Sequence, residues 1–328
     1  MNQRVWLVET PGGEFLQVEQ AHPSPGTGEV LVRIAASGVN PLDTKIRAGK
    51  AAHARQPLPA VLGLDMAGTV EEAGAGVTAF KVGDEVFGMV GGVGGHQGTL
   101  AEFVAADATL LARKPGNLSM REAAALPLST ITAWEGLVDR AKVRPGQKVL
   151  IHAGAGGVGH VAVQIARAFG AEVFATVSSE KKHIVEQFGA APIDYRQYSV
   201  AEYVQSHTSG LGFDIVYDTV GGATLDASFE AVKRYTGHVL SSLGWGSHSL
   251  APLSFRGATY SGVFTLLPLL TGVGRAHHGE ILTEAGLLAE EGKLKPLLNE
   301  RRFSTEDIAA AHAAVESGST GKVVVELN

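Results

Sequence analysis

The 328-residue chain contains no cysteine. Disulfides, thiolate nucleophiles and any cysteine-ligated metal are thereby excluded. Charge is sparse at 18% of residues, with a net charge of −6 and no long run of one sign. That argues against a nucleic-acid or membrane-surface partner. Long apolar runs are missing too. The most apolar late stretch, 263–270, is too short to span a bilayer and contains Pro268. The opening MNQRVWLVET has no apolar secretion-signal core, so a cytoplasmic address is expected. No internal repeat or low-complexity segment is visible. What is there is a 45% hydrophobic composition, enough for a substantial core, and 42 glycines, more than ordinary turns need.

Those glycines are most telling in residues 148–170, KVLIHAGAGGVGHVAVQIARAFG. An apolar strand runs into a turn built on Gly154, Gly156, Gly157 and Gly159. A helix follows, with apolar residues at Val158, Val161, Ala162, Ile165, Ala166 and Phe169, and Gly170 stands at the expected C-cap. Strand, G-x-G-x-x-G turn and helix together form the dinucleotide fingerprint, in which glycines let backbone N–H groups approach a pyrophosphate at a helix N-terminus. Gly154, Ala155, Gly156, Gly157 and Val158 are therefore candidate cofactor contacts.

The chain divides by pattern. Residues 1–127 are β-rich, with strands expected at 29–34, 68–72 and 85–89 between glycine turns, as in a β-barrel domain. Ser119 and Glu122 form a capping-box signature that predicts a helix over 120–126. Residues 128–265 alternate strands (148–152, 171–177, 191–194, 214–218, 237–242, 259–264) with helices (157–169, 180–188, 199–207, 224–234). Six strands in this alternation predict a doubly wound parallel α/β sheet of the Rossmann type. Residues 266–328 read as helix 280–291, strand 297–303, helix 305–316 and a last strand, 322–327, expected to return to the first domain.

Several short motifs occur in order: Gly38-Val-Asn-Pro-Leu-Asp43, Leu62-Gly-Leu-Asp-Met-Ala-Gly68, Val82-Gly-Asp-Glu-Val-Phe87, Gly98-Thr-Leu-Ala-Glu-Phe103, the glycine turn, Tyr217-Asp-Thr-Val-Gly-Gly222 and Gly321-Lys-Val-Val324. Over nearly its whole length the chain resembles the medium-chain dehydrogenase/reductase superfamily, in its zinc-free quinone oxidoreductase (zeta-crystallin-like) branch. The resemblance implies a GroES-like β-barrel catalytic domain, a Rossmann domain, an active-site cleft between them and a homodimer. In zinc-dependent members a cysteine takes the place of Asn40 and a His-Glu pair that of Leu64-Asp65. Leu64 cannot ligate a metal and Asn40 is a poor zinc ligand, so no metal is expected.

The second strand of the α/β region ends in Ser178-Ser179, followed by Glu180-Lys181-Lys182, where an NAD-specific chain carries an acid for the ribose. Small hydroxyls and lysines suit a 2′-phosphate, so NADPH is the expected cofactor. The resemblance points to Ser178, Lys182 and Tyr195 at that phosphate, with Lys322 the nearest C-terminal cation in place of an arginine found in some relatives. It further points to Thr132, Val220, Leu243, Gly244 and Phe264 around the nicotinamide and its ribose. Asn40 is the candidate donor to developing negative charge. Asp43 is expected to hold that loop or a ribose hydroxyl. The family's tyrosine two residues after Asp43 is replaced by Lys45. The glycine-rich loop 91–98 reads as mobile, a wall or lid carrying His96 as a candidate proton donor. Trp245 and His248 are further pocket candidates, and His277-His278 reads as surface. The expected activity is hydride transfer from NADPH to a quinone or an α,β-unsaturated carbonyl. Alternatives are an enoyl-thioester reductase and a nonenzymatic, crystallin-like NADPH-binding protein.

Overall fold

The computed structural model describes residues 2–327. It opens with strands β1 (Asn2–Val8), β2 (Leu16–Ala21) and β3 (Glu29–Val39), the short helix α1 (Pro41–Arg47), and strands β4 (Ala60–Val61), β5 (Asp65–Ala73), β6 (Glu85–Met89), β7 (Phe103–Asp107) and β8 (Leu111–Arg113). Pro41 at the first helical position pre-sets φ and starts α1. Helix α2 (Met120–Ala124) has the expected capping box, with the Glu122 carboxylate accepting from Ser119 N–H and Oγ–H at 2.9 and 2.7 Å. It stops short of the expected 126, and a new helix, α3 (Pro127–Trp134), begins on Pro127. A π-helical segment, Glu135–Arg140, extends it.

Next come β9 (Lys148–Ile151), α4 (Gly157–Ala168), β10 (Glu172–Val177), α5 (Lys182–Gln187), β11 (Ala191–Asp194), α6 (Val200–Thr208), β12 (Ile215–Asp218), α7 (Ala223–Ala231), β13 (His238–Ser241), α8 (Ala251–Arg256) and β14 (Thr259–Gly262). The strands form one parallel sheet in the order β11-β10-β9-β12-β13-β14. Counted within the sheet that is 3-2-1-4-5-6, the Rossmann order. Strands buried on both faces must be apolar throughout, which is why Val149, Leu150 and Ile151 are fully buried. Leu150, Phe174, Phe213, Val216, Phe229 and Val239 make the core, each such side chain contributing roughly 1.5–3 kcal/mol on burial. Gly170, at φ +81°, caps α4 as read from the sequence.

The chain closes with α9 (Leu267–Thr271), α10 (Arg275–Glu290), β15 (Phe303–Ser304), α11 (Ile308–Glu316) and β16 (Val323–Glu326). The structure forms two units. One holds residues up to Leu128, Leu266–Gly292 and those from Pro296 on; the other is Ser129–Thr265 with Lys293–Lys295. The first contains a three-stranded sheet, β2-β1-β4, and a seven-stranded one, β15-β16-β3-β5-β6-β8, with β7 also on β3. The terminal strand β16 pairs antiparallel with β3, Val323 opposite Val39.

Three expectations need correction. The strand at 297–303 shrinks to β15 and a single bridge from Leu298 to Lys322. The helix expected from 280 starts at Arg275, so His277 and His278 are helical; His277 is exposed against Glu280, while His278 is fully buried. The loop 91–98 is pinned rather than lax. Gly94 N–H donates to Ala54, Gly95 N–H to the Gln56 side chain at 2.8 Å, and Arg275 reaches His96 Nε2 at 3.2 Å. A Cβ on Gly91 would lie 1.8 Å from the Gln97 carbonyl. Its glycine there permits close chain approach rather than motion.

Candidate cofactor and reaction site

The glycine turn sits between β9 and α4, beside the point where strand order reverses from β9 to β12. In open α/β sheets, ligands bind outside the carboxyl ends of the strands at such a reversal. Each glycine has its own steric reason. A Cβ on Gly154 would lie 2.5 Å from Ala175 Cβ, and one on Gly159 would lie 2.1 Å from the Ala153 carbonyl oxygen. A Cβ on Gly156, the N-cap of α4, would meet that oxygen at 3.1 Å and Ala153 Cβ at an ordinary 3.9 Å. Its face is open for a phosphate to approach. Ala153 is held at φ +52°, a left-handed conformation uncommon for a residue with a Cβ. Thr176 anchors this start of the turn, its hydroxyl receiving Ala153 N–H and contacting His152 Nδ1, both at 3.1 Å. Thr176 was not singled out from sequence, because a threonine in a strand is unremarkable until its neighbour is known. Burial holds the His152 pKa down to about 4, so its ring is neutral.

At the end of β10, Ser178 precedes a single 3₁₀ turn, Ser179–Lys181. The Ser179 hydroxyl bonds the Asp194 carboxylate, and Lys182 Nζ stands 3.7 Å from it. Asp194 is buried, so this acid points inward and is already partnered. The Ser179 hydroxyl, then the Arg196 N–H and the Lys182 ammonium, hold its carboxyl below the usual range. Tyr195 is exposed beside it, with the Arg196 guanidinium 5.6 Å from its ring. Ser178, Lys182 and Tyr195 thus cluster at one edge of the sheet.

The carboxyl ends of β12, β13 and β14 assemble a second group. Asp218 is fully buried and accepts from Val220 N–H, Gly221 N–H and Ser241 Oγ–H at 3.0, 2.9 and 2.7 Å. Ser241 Oγ in turn receives Leu243 N–H at 3.1 Å. Asp218 therefore fixes the loops that carry Val220, Leu243 and Gly244, a role the sequence reading missed. Gly221, at φ +83°, passes so close that a Cβ would lie 2.5 Å from the Leu243 carbonyl. Phe264 packs edge-on against Trp245. Thr132 is buried, shares a 3.0 Å hydroxyl contact with Thr265, and its carbonyl accepts from Tyr217 OH at 2.6 Å. His248 pairs with Asp226 at 2.8 Å.

The other unit holds a compact polar cluster. β3 lies between β16 and β5, with Gly38 opposite both Val324 and Asp65. That register brings Asn40, Asp65 and Lys322 together from opposite ends of the chain. Asn40 Nδ2 donates to Asp65 Oδ2 at 2.9 Å, Lys322 Nζ donates to Asn40 Oδ1, and Lys322 Nζ lies 3.9 Å from Asp65. Asp65 Oδ1 accepts from Leu128 N–H at 2.9 Å. Asp43 accepts from Asn40 N–H at 2.7 Å and so holds the start of α1. Every member is at most 5% exposed. Burial pushes the Asp43 carboxyl up to about 7 and that of Asp65 to about 6, and it lowers the Lys322 ammonium. Asp65 stood out in the sequence only as a departure from a metal-ligand pair. The signal was an acid inside the apolar run Leu62–Ala67. Lys322, expected near the cofactor, has its ammonium engaged with Asn40 and Asp65. His96 Nε2 accepts from the Arg275 guanidinium, so that nitrogen has no proton of its own to donate.

Two family models match, the Alcohol dehydrogenase GroES-like domain over residues 26–116 and the Zinc-binding dehydrogenase over residues 188–325. The chain is also 36% identical to the 2-methylene-furan-3-one reductase of Solanum lycopersicum over 94% of its own length and 74% of that protein. It belongs to the medium-chain dehydrogenase/reductase superfamily. This medium-chain chain is 34% identical to the NADPH-dependent alkenal/one oxidoreductase, chloroplastic, of Arabidopsis thaliana, over 98% of its length and 79% of that protein. An alcohol dehydrogenase superfamily protein from Novosphingobium aromaticivorans matches its structure with a TM-score of 0.97 at 56% identity, over 99% of this chain and 100% of that one. One matched model is named for zinc, but the residues here do not fit that ion. Leu64 is apolar and fully buried, Asn40 and Asp65 are bonded to each other, and the Lys322 ammonium already stands beside them. A divalent cation would meet that ammonium at short range.

Proposed function

We propose that the chain is a zinc-independent, NADPH-dependent reductase of quinones or α,β-unsaturated carbonyls, acting as a cytoplasmic homodimer. The observation that carries the cofactor is the edge at the end of β10. Two serines and Lys182 stand where an acid would select NAD, and the nearby acid, Asp194, is turned inward and paired. Gly154, Ala155, Gly156, Gly157 and Val158 would receive the pyrophosphate. Ser178, Lys182 and Tyr195 would receive the 2′-phosphate. Thr132, Val220, Leu243, Gly244 and Phe264 would line the nicotinamide end. When bound, NADPH supplies the hydride.

The protein's own contribution is positioning and charge stabilisation. Asn40 donates an N–H to the oxygen that becomes negative when the acceptor is reduced. Asp43 keeps the Asn40 backbone in place. The final proton comes from water, since Lys45 stands where relatives carry a tyrosine. The relatives named for alkenal, alkenone and methylene-furanone substrates favour enones. The homodimer reading is supported by β14, which is one of the sheet's two edge strands, and by the strongly exposed rings of Tyr235 and Phe255 on the same unit.

A panel with NADPH tests the activity: 1,2- and 1,4-quinones, enones, enoyl thioesters and simple alcohols, followed by nicotinamide absorbance. Turnover of enones or quinones is expected. Oxidation of simple alcohols with NAD⁺ and added zinc would overturn the reading, and preference for enoyl thioesters would move the chain to the other reductase class. Light scattering on the purified protein reports the dimer.

A further inference from the structure

A buried amide can usually be seated either way round. The two ends of Asn40 face unlike partners. Lys322 can only donate, and it meets Oδ1; Asp65, once ionised, can only accept, and it meets Nδ2 at 2.9 Å. Asp65 is itself held by Leu128 N–H at 2.9 Å. Reversing the amide would set Nδ2 against the ammonium and Oδ1 against the carboxylate, both away from water. An amide nitrogen carries two hydrogens, and Asp65 is the one partner of Nδ2 among the described residues. A cation on Oδ1 draws electron density through the amide and strengthens the remaining N–H as a donor.

We propose that Lys322 is a positioning residue of the reduction: with Asp65 it fixes the Asn40 amide one way round and strengthens the N–H that meets the acceptor's developing negative oxygen. The proposal rests on Asn40 being that donor, as argued above. It departs from the role of Lys322 as a cation for the cofactor's phosphate.

The test compares Asn40→Ala, Lys322→Met and the double variant in the full-length protein. It reads kcat with an enone, and the Kd of NADPH and of NADH by fluorescence titration. The expected result for Lys322→Met is a kcat at least about tenfold lower with both Kd values within about twofold of wild type. The double variant should be no slower than Asn40→Ala by more than about threefold, because one group acts through the other. An unchanged kcat in Lys322→Met overturns the proposal, as do fully additive losses. A rise in the NADPH Kd with the NADH Kd unchanged overturns it in favour of a phosphate contact. If Asn40→Ala keeps its kcat, the donor assignment itself has failed and the proposal falls with it. Should Lys322→Met not fold because Asp65 is left buried without its partner, Lys322→Met with Asp65→Asn removes both charges, and its kcat is judged by the same criterion.

Discussion

Gly156 and Gly159 stand three residues apart in the glycine turn, and alanine at the two positions should have different consequences. A Cβ on Gly159 would fall 2.1 Å from the Ala153 carbonyl oxygen, 2.8 Å from its carbonyl carbon and 2.9 Å from Gly154 Cα. Carbon and carbonyl oxygen normally keep about 3.3 Å or more, so the first turn of α4 must move away from β9 by roughly 1 Å. Overpacking of this kind costs about 1–3 kcal/mol, and Gly159→Ala should lose that much stability before any cofactor is added. On Gly156 the nearest atom is the same oxygen at 3.1 Å, with little else within reach. Alanine there is a poorer helix N-cap than glycine, by less than about 1 kcal/mol. Its methyl, however, occupies the open face offered to the pyrophosphate. Gly156→Ala should therefore melt close to wild type while its NADPH Kd rises at least about tenfold. Thermal melting without cofactor and fluorescence titration with NADPH separate the two effects. A Gly156→Ala protein that binds NADPH as tightly as wild type would refute the assignment of this turn to the pyrophosphate.

Lys182→Ala should raise the KM for NADPH by about tenfold, in line with loss of one charge-assisted contact, and leave that for NADH unchanged; steady-state kinetics with both cofactors decide, and equal effects would remove Lys182 from the phosphate. His312 is buried against Phe15 with neither ring nitrogen partnered among the described residues, and burial lowers its pKa to about 3. Its folded pKa thus lies below the unfolded value near 6.5, so the unfolded chain binds the extra proton and stability falls as pH drops from 6.5 toward 3. His312→Phe should flatten that slope, gaining on wild type at pH 5 relative to pH 8 in denaturant titrations; parallel curves would contradict it. Asp218→Ala frees the loops of Val220 and Leu243 together and should lower kcat with an enone by at least about tenfold, while Asp226→Ala, which releases only His248, should leave it near wild type in the same assay.

The parallel sheet was legible because its signals are local. Each apolar strand and each helix lies within a dozen residues, and the glycine turn announces the strand before it and the helix after it. The polar cluster was only half legible. Asn40 and Asp43 stand in one short motif, and the capping of α1 follows from their spacing. That Lys322 meets Asn40 depends on β16 pairing with β3 across 282 residues of sequence, and no local pattern encodes that register. Loop 91–98 misled because glycine has two uses. Its glycines permit close packing as readily as motion, and only the neighbouring Gln97 carbonyl, Gln56 and Arg275 show which applies. His278 was misplaced because α10 begins five residues earlier than its periodicity suggested, without a side-chain cap to mark the start.

The central claim, hydride delivery to an activated carbon–carbon double bond, is tested most directly by isotope placement. NADPH carrying deuterium at nicotinamide C4 is turned over with an enone, and the product is read by NMR. Deuterium at the β-carbon, with a solvent-derived hydrogen at the α-carbon, is the expected result. Deuterium on the carbonyl carbon of an alcohol product would contradict it.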